Sequence, residues 1–387
     1  MAVQGVTTAR GVAVLALVAV EEGAKANAEL SKLLSRSGLD ERDRHFATEV
    51  VYGTLRMRRA CDWLVAQFVR REVEPQVRAV LRAGAYQLAF MRVPPHAAVW
   101  ATVAEAPPRA RGLANAVLRK VALLVERGPL QWPDGPTELS YPDWVVERLS
   151  RDLGPGPALA AMRQMNVPGR PVVRHDGYVQ DPASQAVARH VGGLLASSGS
   201  QAKVLDLCAG PGGKATALAG GARLVVAADL VPARSALVAA NAASLGLANV
   251  AAIVADGTRA PLREESFDGA LVDAPCSGLG ALRRRPDARW RVRPEDIERL
   301  AGLQRRLVQA AAPLVRPGGL LAYSVCTMTR EETVGIDAWA AGALPGWEPA
   351  GMPGPPWSAL GRGALVLPQA AGTDGMYLLV LRRPTRH

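Results

Sequence analysis

The sequence predicts an all-α domain followed by an α/β domain with a mostly parallel sheet. From Thr8 to about Arg127, apolar residues recur at helical spacing, and no stretch shows the alternation of a half-buried strand. From Lys203 onward, short strand-like runs alternate with helical segments, which is typical of parallel strands joined by helices. A hydrophobic content of 49% supplies both domains with a core.

Local signals mark the helices of the first domain. The apolar run over residues 11–20 is shorter than the roughly 20 residues that cross a bilayer, and we interpret it as a buried helix of a cytoplasmic protein with no membrane partner. Asp40 is placed to cap a helix that begins near Glu41, because its carboxylate accepts from the free amides of the first turn. Pro94 and Pro95 interrupt a later helix.

Two stretches rich in proline and glycine predict domain boundaries. One lies over residues 128–142 and the other over residues 154–171. We therefore predict a helical domain over residues 1–130, a linker region over residues 131–178 and a second folded domain over residues 179–387.

Seven short runs predict the strands of the second domain. Five are separated by helical segments and predict a parallel sheet: Lys203–Leu207, Arg223–Ala228, Val250–Val254, Gly269–Asp273 and Gly319–Ser324. Two more, Gly363–Leu367 and Met376–Arg382, are separated by a short segment that contains glycine. We expect this last pair to be antiparallel.

Charge and cysteine content limit the possible functions. The chain has 46 Lys and Arg residues against 35 Asp and Glu residues, a net charge of +11, which favours a polyanionic partner. A solvated basic surface without a specific partner gives the same composition. The four cysteines, Cys61, Cys208, Cys276 and Cys326, are far apart and include no C-x-x-C pair, which argues against a disulfide framework or a metal site.

A glycine-rich turn follows the first predicted strand. It comprises Cys208, Ala209, Gly210, Pro211, Gly212, Gly213 and Lys214, and helix-forming residues follow it at 215–219. Glycine lets the backbone approach a ligand closely, and the first turn of a helix presents unpaired amides. The turn indicates a nucleotide-type site, although it lacks the full G-x-G-x-x-G pattern and a connection without a ligand also favours glycine.

Acidic residues mark the ends of successive predicted strands. Asp229 ends the second strand, 23 residues after Asp206, close to the spacing of roughly 20 at which an acid meets ribose hydroxyls. Asp256 ends the third strand and Asp273 the fourth. Because the carboxyl ends of parallel strands face one crevice, we expect these carboxylates to lie near one ligand, although turns alone also favour Asp. The sequence contains no P-loop motif, which argues against an ATPase.

Two cysteines lie directly after neighbouring predicted strands. Cys276 follows the fourth strand and Cys326 the fifth, so we expect both thiols to face the same crevice. A lone cysteine at a strand end is more often a small buried hydrophobe, and we keep that interpretation for Cys61 and Cys208. A thiolate near a nucleotide-type pocket suits methyl transfer to an aromatic carbon, because its attack makes the ring electron-rich. For cytosine, attack at C6 makes C5 the carbon that accepts the methyl group.

These motifs resemble those of the RsmB/Sun-type RNA cytosine-5 methyltransferases of the NOP2/Sun family. The similar segments in the second domain are Asp206–Lys214, Asp273–Gly278, Tyr323–Thr327, Val179–Gln185 and Arg284–Trp290. Further segments resemble the NusB-like domain that the ribosomal members carry in front: Val51–Arg56, Tyr86–Leu88, Val93–Val99 and Leu113–Arg119. The resemblance covers most of the chain.

The resemblance implies a fold and a cofactor. The fold is a NusB-like helical RNA-binding domain followed by a Rossmann-like methyltransferase domain, whose mostly parallel seven-stranded sheet ends in an antiparallel strand. The cofactor is S-adenosylmethionine, and the matching motifs assign its binding to residues 208–214 together with Asp229, Asp256 and Asp273.

The resemblance also implies roles for the cysteines. It assigns Cys326 as the nucleophile that attacks C6 and Cys276 as the thiol that helps to release the methylated product. Lys214 and Asp273 are expected near the target base as well as near the cofactor. DNA cytosine-5 methyltransferases use the cysteine of a Pro-Cys motif as the nucleophile, and Cys276 follows a proline, so the reverse assignment stays open.

The most basic stretch of the chain follows Cys276. It contains Arg283, Arg284, Arg285, Arg289, Arg291 and Arg293, with Trp290 among them and Asp287 as the one opposing charge. Arginines bind phosphates and a tryptophan stacks on an unpaired base. We therefore predict RNA binding through Arg283, Arg284, Arg285, Arg289 and Trp290, together with the helical domain. A solvated basic loop is the alternative interpretation.

Two features depart from the family pattern and leave three hypotheses. The segment before Gln180 is shorter than the usual RNA-binding subdomain, so we expect residues 131–178 to contain a reduced one. Residues 373–377 lack the usual aromatic pair, and Val325 replaces a threonine. The first hypothesis is formation of 5-methylcytosine in RNA, above all in 16S ribosomal RNA. The second is C-methylation of a small aromatic metabolite or another RNA, and the third is a non-catalytic RNA-binding protein, against which the paired cysteines argue.

Overall fold

The computed structural model describes residues 8–197 and 202–385, which form two compact units. The first unit ends at Glu147 and also includes Arg285–Arg291. The second comprises Arg148–Arg284 and the chain from Val292 onward. A short segment that lies within the predicted second domain along the chain therefore belongs to the helical unit.

Helices occur along the whole described chain. They are α1 (Ala9–Glu21), α2 (Ala26–Arg36), α3 (Glu41–Arg56), α4 (Arg58–Ala66), α5 (Pro75–Phe90), α6 (Pro95–Val103), α7 (Arg111–Glu126), α8 (Gly135–Leu139), α9 (Asp143–Leu153), α10 (Pro155–Met165), α11 (Pro182–Ala196), α12 (Gly213–Ala219), α13 (Pro232–Ser244), α14 (Ala288–Arg291), α15 (Pro294–Ala311), α16 (Val334–Ala343) and α17 (Pro368–Ala371). Within the described residues, no helix is both long and apolar enough to cross a membrane.

The first unit is helical, as the periodicity predicted. Helix α1 contains the apolar run over residues 11–20, and its buried face includes Val12, Ala13 and Ala16. Asp40 caps α3 as expected, since its side chain accepts from the amide of Asp43 at 2.8 Å. Burial of each Val or Leu side chain in this core contributes about 1.5–3 kcal/mol.

Close approach of α3 and α5 depends on one glycine. A Cβ at Gly53 would overlap the ring of Tyr86, so these two helices pack at a distance that any larger residue prevents. The Tyr86 hydroxyl donates to the carboxylate of Glu49 at 2.5 Å, which satisfies this largely buried polar group.

The predicted linker region over residues 131–178 is largely helical, because it contains α8, α10 and all of α9. Pro136 and Pro155 lie in the first turns of α8 and α10, where a proline lacks only an amide that has no helical partner. These two prolines therefore begin helices. The first compact unit extends to Glu147, past the predicted boundary at residue 130.

The second unit contains a nine-stranded sheet within its described residues. The strands are β1 (Ala202–Asp206), β2 (Ala222–Asp229), β3 (Val250–Val254), β4 (Phe267–Asp273), β5 (Val315–Val325), β6 (Glu348–Pro349), β7 (Ser358–Leu360), β8 (Gly363–Val366) and β9 (Met376–Arg382). Their order is β3-β2-β1-β4-β5-β9-β8-β7, and β6 pairs with β9.

The topology confirms the predicted α/β class. Strands β1 to β5 pair in parallel, and β9 pairs antiparallel with both β5 and β8. The sheet has two strands more than the expected seven, because β6 and β7 comprise only two and three residues, too few for a recognisable alternation. The strand order reverses between β1 and β4, which places the crevice of the sheet at the carboxyl ends of these strands.

The core of the sheet lies between β1, β4 and α11. Val204 of β1 pairs with Gly269 of β4, and both Leu205 and Leu271 are fully buried. A Cβ at Gly269 would lie 2.9 Å from a methyl carbon of Leu195, so the absence of a side chain there lets α11 pack on the sheet.

Candidate active site at the carboxyl ends of the strands

Two sulfur atoms lie together at the end of neighbouring strands. The Sγ atoms of Cys276, three residues after β4, and Cys326, directly after β5, are 3.4 Å apart. Both residues are partly exposed, so a ligand in the crevice can reach them. This distance allows the thiol of one cysteine to donate a hydrogen bond to the sulfur of the other.

A partly buried ion pair lies near the thiols. The Nζ atom of Lys214, on the first turn of α12, donates to Asp273 Oδ2 at 2.7 Å. Ser324 donates through its hydroxyl to Asp273 Oδ1 at 2.7 Å, which fixes the carboxylate at the end of β4. Burial lowers the pKa of Lys214, but the charge and the hydrogen bond of Asp273 outweigh burial and raise it. The ammonium group therefore stays charged.

One glycine joins the loops that follow β4 and β5. The amide of Gly280 donates to the carbonyl oxygen of Cys326 at 3.0 Å, and its own carbonyl accepts from the amide of Gly375 at 2.9 Å. A Cβ at Gly280 would overlap the backbone of Gly375. These contacts fix the backbone around Cys326 without any side chain.

The glycine-rich turn contacts the end of β2. Asp229 accepts from the amides of Gly210 and Val231, each at 3.0 Å. A Cβ at Gly210 would lie 2.6 Å from Asp229 Oδ2, and Gly212 has a φ of 107°, so both glycines are required by the turn. The guanidinium of Arg234 pairs with Asp229 and donates to the carbonyl of Gly210, a contact that no sequence pattern indicated.

The remaining predicted residues differ in their surroundings. Asp256 is exposed and accepts from the amide of Thr258 at 2.9 Å and from its hydroxyl at 2.7 Å, and these bonds lower the pKa of Asp256. This is the turn arrangement that the sequence left open for it. Burial, then the charge of Asp206, raises the pKa of the Cys208 thiol, so Cys208 is a neutral thiol at the crevice.

Asp206 is a buried acid whose environment the sequence did not indicate. The residue is 1% exposed at the end of β1, so its carboxyl group is almost completely removed from water. Burial, then the charge of Asp273, raises the pKa of Asp206 to about 7.

The shortened segment before the second domain contacts the glycine-rich turn. Arg174 is buried and its guanidinium donates to the carbonyl of Gly213 at 2.6 Å, to Gln180 Oε1 at 3.0 Å and to the Thr216 hydroxyl at 3.1 Å. The guanidinium also lies over the ring of Tyr178, 4.8 Å from its centroid. This short turn therefore supports the start of α12.

The basic stretch is not the open RNA-binding surface that the sequence predicted. Arg289 is fully buried within the first unit, where its guanidinium donates to the carbonyls of Arg56 at 2.9 Å and Ser140 at 3.0 Å and to the Tyr141 hydroxyl at 3.0 Å. The indole of half-buried Trp290 donates to the carbonyl of Leu55 at 2.6 Å. The prediction for Arg289 is wrong, because buried acceptors of the helical unit bind the guanidinium that was assigned to RNA. Stacking of a base on the half-buried Trp290 ring stays a prediction.

The other arginines of the stretch fall into two groups. Arg283 is 8% exposed and donates to the carbonyls of Val167 and Gly372, so it too is unavailable as a surface cation. Arg284 pairs with Asp374, whose amide donates to the carboxylate of Asp181 at 3.2 Å. Arg284, despite this ion pair, and Arg285 are both exposed.

Profiles of two families match the chain. The NusB family matches residues 7–123, and the 16S rRNA methyltransferase RsmB/F family matches residues 194–382. The chain thus combines a NusB-type helical domain with a later domain that has a glycine-rich turn on a mostly parallel sheet. This combination defines a methyltransferase that uses S-adenosylmethionine. Full-length relatives then decide the family, and the chain belongs to the RsmB/F family of ribosomal RNA methyltransferases.

The relatives span nearly the whole chain. Ribosomal RNA small subunit methyltransferase B of Thermus thermophilus is 36% identical over 97% of this chain and 98% of its own length. The putative methyltransferase Rv1407 of Mycobacterium tuberculosis is 36% identical over 94% of this chain and 93% of its own length. The crystal structure of PH0851 has the same fold, with a TM-score of 0.77 at 20% identity over 99% of this chain and all of that one.

Proposed function

We propose that this protein forms 5-methylcytosine in RNA, specifically in 16S ribosomal RNA, through a transient bond between a cysteine sulfur and C6 of the base. The observation that supports the proposal is the 3.4 Å separation of the Cys276 and Cys326 sulfurs in the crevice of a methyltransferase fold. The charged Lys214 and its partner Asp273 lie at the same edge of the sheet.

We propose that residues 208–214, Asp229, Asp256 and Asp273 bind the cofactor. The glycine-rich turn packs closely against Asp229 at the end of β2, and a side chain at Gly210 would overlap that carboxylate. Carboxylates at successive strand ends can accept hydrogen bonds from ribose hydroxyls and amino groups. When bound there, S-adenosylmethionine supplies an electrophilic methyl group.

In the proposed reaction, Cys326 acts as the nucleophile. Its thiolate forms a bond to C6, and the electron pair of the C5–C6 double bond moves to C5. C5 then accepts the methyl group, and S-adenosylhomocysteine is left as the second product. The C5 proton then leaves to solvent, its electron pair restores the double bond, and the C6–sulfur bond breaks to return the thiolate. The charged Lys214 attracts the Cys326 thiolate, and the thiol of Cys276 donates a hydrogen bond to the leaving sulfur.

Incubation with labelled methyl donor tests this proposal. The purified protein is expected to transfer label to 16S ribosomal RNA from a strain that lacks the corresponding methylation, and digestion of the RNA should release the label as 5-methylcytidine. Recovery of the label in a different nucleoside would contradict the proposed product.

The reduced segment before Gln180 favours a second candidate, C-methylation of a small aromatic metabolite or of another RNA. Between the end of α10 and Gln180 lies a short segment with the turn around Arg174, and this turn contacts the glycine-rich turn. No transfer to ribosomal RNA, together with transfer to a small aromatic compound or another RNA, would support this candidate over the first.

Two arginines of one stretch should respond differently to replacement. Arg285→Gln removes an exposed charge and is expected to weaken RNA binding severalfold. The slope of the logarithm of the binding constant against the logarithm of salt concentration should fall by about one. Arg289→Met removes the guanidinium that donates to three buried acceptors and is expected to lower the free energy of unfolding by about 2–4 kcal/mol. Filter binding across salt concentrations and urea denaturation measure the two effects. Equal loss of stability in both variants would contradict this assignment.

A further inference from the structure

We propose that Glu332, a fully buried carboxylate that bridges the two cysteine loops, is a positioning residue that sets both the geometry and the charge around the thiol pair. The inference rests on the proposed function, because it assigns Glu332 a role that acts through Cys276 and Cys326. Glu332 lies in the segment between β5 and α16, six residues beyond Cys326.

Glu332 accepts four hydrogen bonds. Its Oε1 atom accepts from the Ser277 amide at 2.8 Å and from the side-chain amide of Gln304 at 2.9 Å. Its Oε2 atom accepts from the Ser277 hydroxyl and from the Thr329 hydroxyl, the latter at 2.8 Å. The carboxylate therefore binds the residue directly after Cys276 through both its backbone and its side chain.

The same network extends to the other side of each cysteine. Gln304 donates to the carbonyl of Pro275, directly before Cys276, at 2.9 Å. The Ser277 and Thr327 hydroxyls are 2.8 Å apart, and Thr327 directly follows Cys326. Tyr323 lies with its hydroxyl 2.8 Å from the Glu332 carbonyl oxygen. The residues next to both cysteines are thus linked by hydrogen bonds to one carboxylate. For this reason, the distance between the two sulfur atoms depends on Glu332.

The groups around Glu332 are those that stabilise a buried carboxylate. The Ser277 amide and the Gln304 amide group can only donate toward Oε1, and the two hydroxyls complete the shell around Oε2. A full set of donors is what a buried carboxylate needs to remain charged. A negative charge is therefore held close to Cys276.

This charge disfavours a thiolate at Cys276. The hydrogen bond with Cys326 and burial raise the pKa of the Cys276 thiol, and the charges of Cys326, Glu332 and Asp273 raise it further. Lys214, the nearby cation, is paired with Asp273. Cys276 thus keeps its proton and donates to the Cys326 sulfur, which is the arrangement that the proposed release step requires.

Glu332→Gln removes the negative charge of the side chain and keeps its shape. The amide oxygen can accept from the Ser277 and Gln304 amides, while the Ser277 and Thr329 hydroxyls can rotate to accept from the new amide group. Glu332→Asp keeps the charge but shortens the side chain by one methylene and so disturbs the contacts. Glu331→Gln is the matched control, because it removes the same charge from the adjacent residue, whose carboxylate pairs with Arg148.

The readout is the pH dependence of Cys276 alkylation. Iodoacetamide labelling of the purified full chain, with Cys276 followed by peptide mass spectrometry, is expected to show a midpoint about 1 pH unit lower in Glu332→Gln than in the wild type. Glu331→Gln should leave the midpoint unchanged. With RNA, kcat of Glu332→Gln should fall about tenfold or more while KM changes less than about twofold. Glu332→Asp should keep a midpoint near the wild-type value and still lose kcat.

A wild-type alkylation midpoint and a wild-type kcat in Glu332→Gln would overturn the inference. Should that variant fail to fold, Glu332→Asp decides the matter, and a wild-type kcat in a folded Glu332→Asp would overturn it equally. Absence of cytosine methylation by the wild type would instead overturn the proposed function, because the alkylation shift is measured without RNA and still decides whether Glu332 controls Cys276.

Discussion

Cys326→Ala is expected to reduce methyl transfer to RNA on the order of 10⁴-fold or more, because loss of a covalent nucleophile removes the step that activates C5. Binding of S-adenosylmethionine should change little, since the proposed cofactor residues lie in the turn after β1 and at the ends of other strands. The rate of label transfer and the affinity for S-adenosylhomocysteine measure the two properties.

A second cysteine serves as the control for this prediction. Cys61 is fully buried in the helical unit, so Cys61→Ala makes the same chemical change away from the sheet. Its transfer rate should remain within about twofold of the wild-type rate at a temperature where both fold. If Cys326→Ala retained a tenth of the wild-type rate, Cys326 would not be the nucleophile.

Cys276→Ala is expected to accumulate a covalent protein–RNA adduct. In this variant the Cys326 sulfur still attacks C6, but the thiol that lies 3.4 Å away no longer donates to it when the carbon–sulfur bond has to break. With labelled RNA and methyl donor, a band that resists denaturant should appear on a gel, with most of the protein trapped after one turnover.

The adduct experiment also decides between the two assignments of the cysteines. The double variant Cys276→Ala/Cys326→Ala should form no adduct, because no nucleophile is left at the strand ends. An adduct formed by Cys326→Ala alone, but not by Cys276→Ala, would show that Cys276 attacks the base, as the Pro-Cys cysteine does in DNA cytosine-5 methyltransferases.

Several features of the fold were predictable because they depend on local patterns. Helical periodicity identified the first unit, and Asp40 was recognised as a cap from its position before α3. The five parallel strands were recognised from their alternation with helices, and β8 and β9 from their proximity along the chain. Each of these signals extends over a few neighbouring residues.

The proximity of the two thiols was only partly predictable. Their positions after β4 and β5 indicated the same edge of the sheet, because parallel strands have their carboxyl ends on one side. The 3.4 Å distance, however, depends on the loops that follow these strands. Those loops are fixed by Gly280 and Glu332, which carry no signal of their role in the sequence.

Long-range contacts explain the predictions that were wrong. Arg289 was interpreted as a surface cation, yet its partners Arg56 and Ser140 lie 233 and 149 positions away along the chain. A run of arginines looks the same whether its guanidinium groups face solvent or the buried carbonyls of another element. The prolines of residues 131–178 indicated a linker for a local reason instead, since a proline favours the first turn of a helix as well as a loop, and Pro136 and Pro155 lie in such turns.

Amino-acid order was thus enough to identify the two kinds of domain, the glycine-rich turn and the strand ends at which acids and thiols occur, because period and spacing are properties of neighbouring residues. Folding was needed to bring Glu332 to Ser277, 55 positions away, and to bury Arg289 among carbonyls. A polar group that packing removes from water must form a hydrogen bond within the protein. The partner of that bond is set by the assembled core, not by neighbouring residues in the sequence.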